Sequence, residues 1–227
     1  MITQEEIKKK LGKYAADLVP ENAIIGMGTG STVFWLIQEL AVRIQNGLSI
    51  KIVPTSIQTK DLAIKAGIST VELNDVDSLP VTIDGADEID SHFQLIKGGG
   101  GALLQEKMVA AASGKLIIIA DESKYVPQLG NFPLPVEVIP NGWKQVYKNI
   151  QSTGSDKVLM RQLNDMPFIT DNGNYILDCY FGKIENAIAL NTTLHLIPGV
   201  VETGLFVNMA DTIIIGHADG RIVMKER

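Results

Sequence analysis

An α/β fold is predicted, with a parallel sheet wound on both faces and a smaller α+β unit after it, and three observations carry that prediction. Short apolar runs alternate with helical stretches over the first half of the chain, a proline-rich segment ends the alternation, and glycine-rich turns stand at the ends of several apolar runs. The 227 residues, 45% hydrophobic and 20% charged, suffice for one large domain or two small ones.

Thr3 with Glu6 forms a capping-box pattern that opens a helix through about Asp17, with Ile7, Leu11, Tyr14 and Leu18 as its apolar stripe. Strand-sized runs follow at 23–26, 50–53, 81–84 and 116–120, separated by helical stretches after Ser31, Ile57 and Ala102. That alternation describes a doubly wound, Rossmann-like parallel sheet covered on both faces. The stretch 131–140 (NFPLPVEVIP) marks a crossing into a second unit. There the pattern reads strand 135–139, helix 142–153, strand 158–163, a hairpin turning at Asn172-Gly173, helix 185–194 and strand 200–206. The order approximates a split βαβ, ferredoxin-like unit with room for one extra strand. The runs at 212–216 and 221–225 return to the first unit. The expected domains are 1–130 with 207–227, Rossmann-like and catalytic, and 131–206, smaller and α+β.

Charge and cysteine content narrow the function. The net charge of −6 is the wrong sign for a nucleic-acid surface, so an anionic ligand would need a few local cations. Cys179 is the single cysteine and cannot form an internal disulfide, and no spacing reads as a metal site. The N-terminal MITQEEIKKK lacks the apolar stretch of a signal peptide, and no apolar run reaches the ~18 residues of a membrane span, so a cytoplasmic protein is expected.

Four segments carry chemistry. Gly26-Met27-Gly28-Thr29-Gly30-Ser31-Thr32 joins a strand to a helix, where backbone amides and the helix dipole favour an anion such as phosphate; an ordinary turn capped by Ser31 is the alternative. The third glycine falls one place early for a dinucleotide fingerprint, no acid follows the second strand, and Gly30 stands where a Walker lysine would be. Asp84-Gly85-Ala86-Asp87-Glu88-Ile89-Asp90 lies at the carboxyl end of a strand, and Asp84 with Asp87 are the acids best placed to hold sugar hydroxyls; a divalent cation or a solvated turn would also suit such a cluster. Lys97 and four glycines lead into a helix on which Glu106 shares a face with Leu103 and Ala110, although a first-turn Glu also complements the helix dipole. Lys124, in Asp121-Glu122-Ser123-Lys124 after the most apolar strand, can reach an anion or simply be solvated. His92, His195 and His217 form no readable catalytic arrangement and are taken as structural.

In this order GMGTGST, DGADEID, KGGGGALLQEK, ADESK, PLPVEV, TDNGN and IPGVVETGLF resemble the ribose-5-phosphate isomerase A family over nearly the whole chain. The resemblance implies interconversion of D-ribose 5-phosphate and D-ribulose 5-phosphate in the pentose phosphate pathway without metal or organic cofactor. It implies Glu106 as general base, Lys97 as a stabiliser of the intermediate, and Asp84 and Asp87 as holders of substrate hydroxyls that assist ring opening. It assigns substrate and phosphate binding to Thr29, Gly30, Ser31 and Thr32, with Gly85, Ala86, Gly98, Gly99 and Gly100 lining the substrate and Lys124 and Lys8 adding charge; Lys9 and Lys10 are alternatives to Lys8. A homodimer or homotetramer is implied as well. The rival readings are a non-catalytic sugar-phosphate sensor, disfavoured by the acidic charge and the lack of a helix-turn-helix, and a metal-dependent enzyme built on Asp84–Asp90.

Overall fold

The computed structural model describes residues 2–227. Its helices are α1 (Gln4–Ala16), α2 (Ser31–Gln45), α3 (Ile57–Lys65), α4 (Leu103–Ala111), α5 (Trp143–Gln151) and α6 (Ala187–His195). Strands in the first half are β1 (Ala23–Met27), β2 (Ile50–Pro54), β3 (Thr82–Asp84), β4 (Glu88–Ile89), β5 (Leu95–Ile96) and β6 (Leu116–Asp121). The second half adds β7 (Leu134–Val138), β8 (Lys157–Met160), β9 (Gln162–Leu163), β10 (Met166–Pro167), β11 (Tyr175–Tyr180), β12 (Val200–Thr203), β13 (Leu205–Phe206), β14 (Thr212–Gly216) and β15 (Ile222–Glu226).

Contacts divide the chain into two units. The first comprises the chain up to Ala86, Gln105–Tyr125 and Met209–Arg227; the second comprises Asp87–Leu104 and Val126–Asn208. The division does not fall where composition changes, since β4 and β5 pair with each other and with β13, which carries residues 87–104 into the second unit.

The first unit is the doubly wound one. Its six strands run in the order β15-β14-β6-β3-β1-β2, parallel except for β15, which lies antiparallel to β14. The predicted capping box is formed at Thr3 and Glu6, starting α1 with its first amides satisfied. Ile7 and Leu11 of α1 and Val33, Leu36, Ile37 and Leu40 of α2 pack with Ile25, Met27, Ile83, Ile119 and Ile214 of the sheet. Tyr14 and Leu18 lie at the margin of that core. On the other face Val53, Leu79 and Val109 form a smaller cluster. Every residue of β6 and of β14 is buried, as expected of parallel strands covered on both sides.

The second unit holds a four-stranded antiparallel sheet in the order β12-β7-β11-β8, connected as βαββαβ through α5 and α6, which is the ferredoxin-like arrangement. Val136, Val138, Ile150, Leu177 and Leu194 are part of its separate core. Two expected strands are interrupted. The run 158–163 breaks at Arg161 into β8 and β9, and β9 turns into β10 through Asn164 and Asp165, both at positive φ, as a two-residue type I′ hairpin requires. The run 200–206 breaks at Gly204, whose amide donates to the Pro135 carbonyl at 2.7 Å, so that β12 and β13 join different sheets. Asn172-Gly173 does make a tight turn, closed by the Thr170 amide donating to the Asn174 carbonyl at 2.9 Å.

Candidate active site

In the first unit the strand order reverses about β1, with β2 on one side and β3 on the other, the place where open α/β sheets receive ligands at their carboxyl ends. The loop after β1 packs against the end of β3. A Cβ at Gly28 would stand 1.9 Å from Asp84 Oδ1, so only glycine permits this approach. The Thr29 and Gly85 amides both donate to that oxygen, at 3.1 and 2.7 Å, and fix the Asp84 carboxylate, which is 1% exposed. Ala86 follows, half-buried.

Gly30, at φ 110°, caps α2, and no side chain caps the helix; Ser31 is the first helical residue and not the cap. Ser31 is exposed, Thr32 is half-buried, and no acid occupies the first turn. The positive end of the dipole and its amides thus suit an anion. Thr29 has a different use for its hydroxyl, which hydrogen-bonds with those of Thr55, Ser56 and Thr59 at 2.9, 2.8 and 3.0 Å. Thr59 in turn donates to the Gly28 carbonyl at 2.8 Å. These three hydroxyls, which pin the glycine loop to the start of α3, were not apparent from sequence because 26–30 residues separate them from Thr29.

Glu106 is 5% exposed, between Leu103 and Ala110, which are buried as their shared face predicts. α4 lies close against β1, where a Cβ at Gly26 would meet Val109 Cγ1 at 2.7 Å. Glu106 precedes Val109 by three residues, about 4.5 Å along the axis. Lys124 follows β6 in a short 3-10 turn, half-buried. Its neighbour Glu122 accepts from His217 Nδ1 at 2.6 Å and from the Ala218 amide at 2.9 Å, bonds that hold its pKa below the ordinary carboxylate range. Lys8 adjoins Ile7, which packs on Gly216 at the carboxyl end of β14, level with Asp121 of β6. Lys9 instead lies over the Trp35 ring, 5.5 Å from its centroid.

The second unit holds Asp87, Lys97 and the glycine run. Asp87 Oδ2 accepts the Gly99 amide at 2.8 Å, and the Asp87 amide donates to the Ile96 carbonyl at 2.9 Å. Lys97, 2% exposed, has its amide on the Gly204 carbonyl at 2.9 Å and its ammonium 5.3 Å from the Phe206 ring centroid. Gly98 is buried, whereas Gly99 and Gly100 are exposed. Within the acidic segment roles separate. Glu88 accepts the Gly130 and Phe132 amides, both at 2.7 Å, and Asp90 accepts those of His92 and Gln94, at 2.8 and 2.9 Å, so these two acids hold backbone.

Known proteins resemble this chain over most of its length. The family described as Ribose 5-phosphate isomerase A (phosphoriboisomerase A) matches residues 51–220. Ribose-5-phosphate isomerase A of Bacillus mycoides (strain KBAB4) is 56% identical over 215 residues, covering 94% of this chain and 97% of its own. The solved ribose 5-phosphate isomerase from Plasmodium falciparum superposes with a TM-score of 0.95 at 38% identity, covering 99% of each chain. A D-ribose-5-phosphate isomerase solved in complex with phospho-erythronic acid has a TM-score of 0.95 at 39% identity, covering 100% of each chain. Fold and relatives define the class, an α/β isomerase. The chain belongs to the ribose 5-phosphate isomerase A family.

Proposed function

We propose that this isomerase interconverts D-ribose 5-phosphate and D-ribulose 5-phosphate with Glu106 as its single general base. The observation that carries the assignment is a carboxyl group 5% exposed on a helix packed against β1, whose carboxyl end carries an anion-suited loop. Aldose-to-ketose conversion takes a proton from C2 of the open-chain sugar and returns it to C1, so one carboxylate serves both steps through a planar enediolate. Negative charge develops on O1 and O2; Lys97 and the glycine-run amides would offset it by roughly 3 kcal/mol per donor. Asp84 and Asp87 hold substrate hydroxyls and assist ring opening. The α2 N-terminus, with Ser31 and Thr32, takes the phosphate, aided by Lys124 and Lys8, and binding energy there positions the reacting carbons.

The complex of a relative with phospho-erythronic acid supports this reading, because a phosphorylated hydroxy acid has a planar anionic carboxylate akin to an enediolate. The reaction belongs to the non-oxidative pentose phosphate pathway. Among the described residues no helix is long and apolar enough to cross a membrane, in keeping with a cytoplasmic enzyme. The working form is a homodimer or homotetramer without organic cofactor or metal.

The test is conversion of ribose 5-phosphate in EDTA by wild type and by Glu106→Gln. Wild type is expected to turn over and the variant to lose ~10²-fold or more in kcat while still binding substrate. Near-normal turnover by the variant would remove Glu106 as base, and loss of wild-type activity to the chelator would remove the metal-free mechanism.

A further inference from the structure

Arg161 stands 63 residues from the glycine run, on the two-residue-loop hairpin of the second unit, and reaches back to it. Its Nη1 donates to the Gly98 carbonyl at 2.7 Å and to the Gly99 carbonyl at 3.1 Å. The rest of the guanidinium faces Asp178, with Nε on Oδ2 at 3.0 Å and Nη2 on Oδ1. The pair is little exposed, 14% and 16%, and doubly hydrogen-bonded, which fixes the fork in one orientation. The Arg161 backbone is itself held on both sides, its amide on the Ile176 carbonyl and its carbonyl under the Phe168 amide, each at 2.9 Å. From the returning strand the Phe168 ring covers Gly101, where a Cβ would lie 2.5 Å from two ring carbons.

We propose that Arg161, oriented by Asp178, is a positioning residue for the isomerisation: it holds the carbonyls of Gly98 and Gly99 and thereby aims the amides of the run that follows Lys97. The physical reason lies in the trans peptide, whose C=O and N–H point in opposite directions. The Gly98 carbonyl and the Gly99 amide share one peptide plane, and Arg161 and Asp87 grip its two ends. Because the next carbonyl is drawn to the same Nη1, the Gly100 amide is turned to the same side as that of Gly99. Successive amides on one side form a nest suited to negative charge, in which the Gly99 amide holds the Asp87 carboxylate and the Gly100 amide is the one turned toward a ligand. Glycine is what makes such a backbone accessible, with Gly98 at φ 94° and Gly101 at φ 85°, and its freedom is what makes an external clamp necessary. Gly98 is further fixed by its carbonyl accepting the Gly101 amide at 2.9 Å.

The inference rests on the reading that Lys97, Asp87 and the glycine amides act on the substrate. Kinetics of Arg161→Ala, Arg161→Lys and Asp178→Asn, beside Glu106→Gln, test it. Misaimed donors should lower kcat of Arg161→Ala by about 10- to 100-fold and leave KM within about threefold, the split expected of stabilisation made mainly in the transition state. Millimolar guanidinium ion should restore part of the lost kcat to Arg161→Ala and none to Glu106→Gln, and the other two variants should fall between Arg161→Ala and wild type. A folded Arg161→Ala with kcat within about twofold of wild type overturns the proposal. So does a loss that guanidinium leaves untouched and that falls equally on KM, which marks a packing role only. Should Arg161→Ala not fold, Asp178→Asn decides by the same split, full wild-type kcat overturning the proposal. Near-normal turnover by Glu106→Gln would instead refute the base assignment and leave the Arg161 result to be judged by itself.

Discussion

Glu137 is the next-to-last residue of β7, fully buried, where a carboxylate has little to recommend it energetically. Its Oε1 accepts from Thr170 Oγ1 and Asn174 Nδ2, both at 2.9 Å, so it holds the two ends of the Thr170–Asn174 turn. Burial raises its pKa above the ordinary range, and the hydrogen bonds from Asn174 and Thr170 only partly counter this. The folded state therefore holds this proton more tightly than the unfolded state, and stability falls as pH rises above the unfolded carboxyl pKa. Glu137→Gln keeps an acceptor for both donors without the charge. Its melting temperature relative to wild type should be more favourable at pH 8 than at pH 5; a difference that does not vary with pH would show that Glu137 stays ionised in the fold. At this scale sequence and structure part company in an informative way. Glu106, Lys97, Asp84 and Asp87 stand in compact motifs whose glycines announce a close approach, and they could be proposed from the chain alone. Glu137 and Arg161 could not, because each acts on backbone or side chains brought near only by strand pairing across dozens of residues.

The loop between β1 and α2 shows how an element can be specified by what it lacks. With no side chain at Gly28, the loop passes against Asp84, and with no side-chain cap on α2 its first turn presents amides. Gly28→Ala puts a methyl 1.9 Å from Asp84 Oδ1 and must displace that carboxylate. We expect kcat/KM to fall about 100-fold with the circular dichroism spectrum unchanged, and near-wild-type kinetics would contradict the packing described. Long elements were legible because burial repeats along them: 116–120 is continuously apolar and becomes a fully buried strand, and α1 follows its capping box and stripe. β4 and β5, with two residues each, are too short to display a period. The β9–β10 hairpin turns on Asn164-Asp165 without a glycine, and its strands are exposed, so neither turn chemistry nor alternation reveals it.

Each unit has its own core, yet the chain passes between them four times, after Ala86, Leu104, Tyr125 and Asn208. Both units also leave large apolar side chains exposed, among them Ile64 and Met108 in the first and Met166 and Leu196 in the second. Such side chains are what a subunit interface covers, and light scattering at micromolar concentration should give the mass of a dimer or tetramer; a monomer would contradict the proposed assembly. The connectivity bears on synthesis as well. β6 takes its second neighbour, β14, from a segment made about ninety residues later, a delay on the order of 10 s at ordinary elongation rates. For that interval a strand of three consecutive isoleucines has one open edge, the kind of surface that recruits other nascent chains. The sheet that brings the β1 and β3 loops to one edge thus leaves the newborn protein with an exposed strand edge until its last parallel strand arrives.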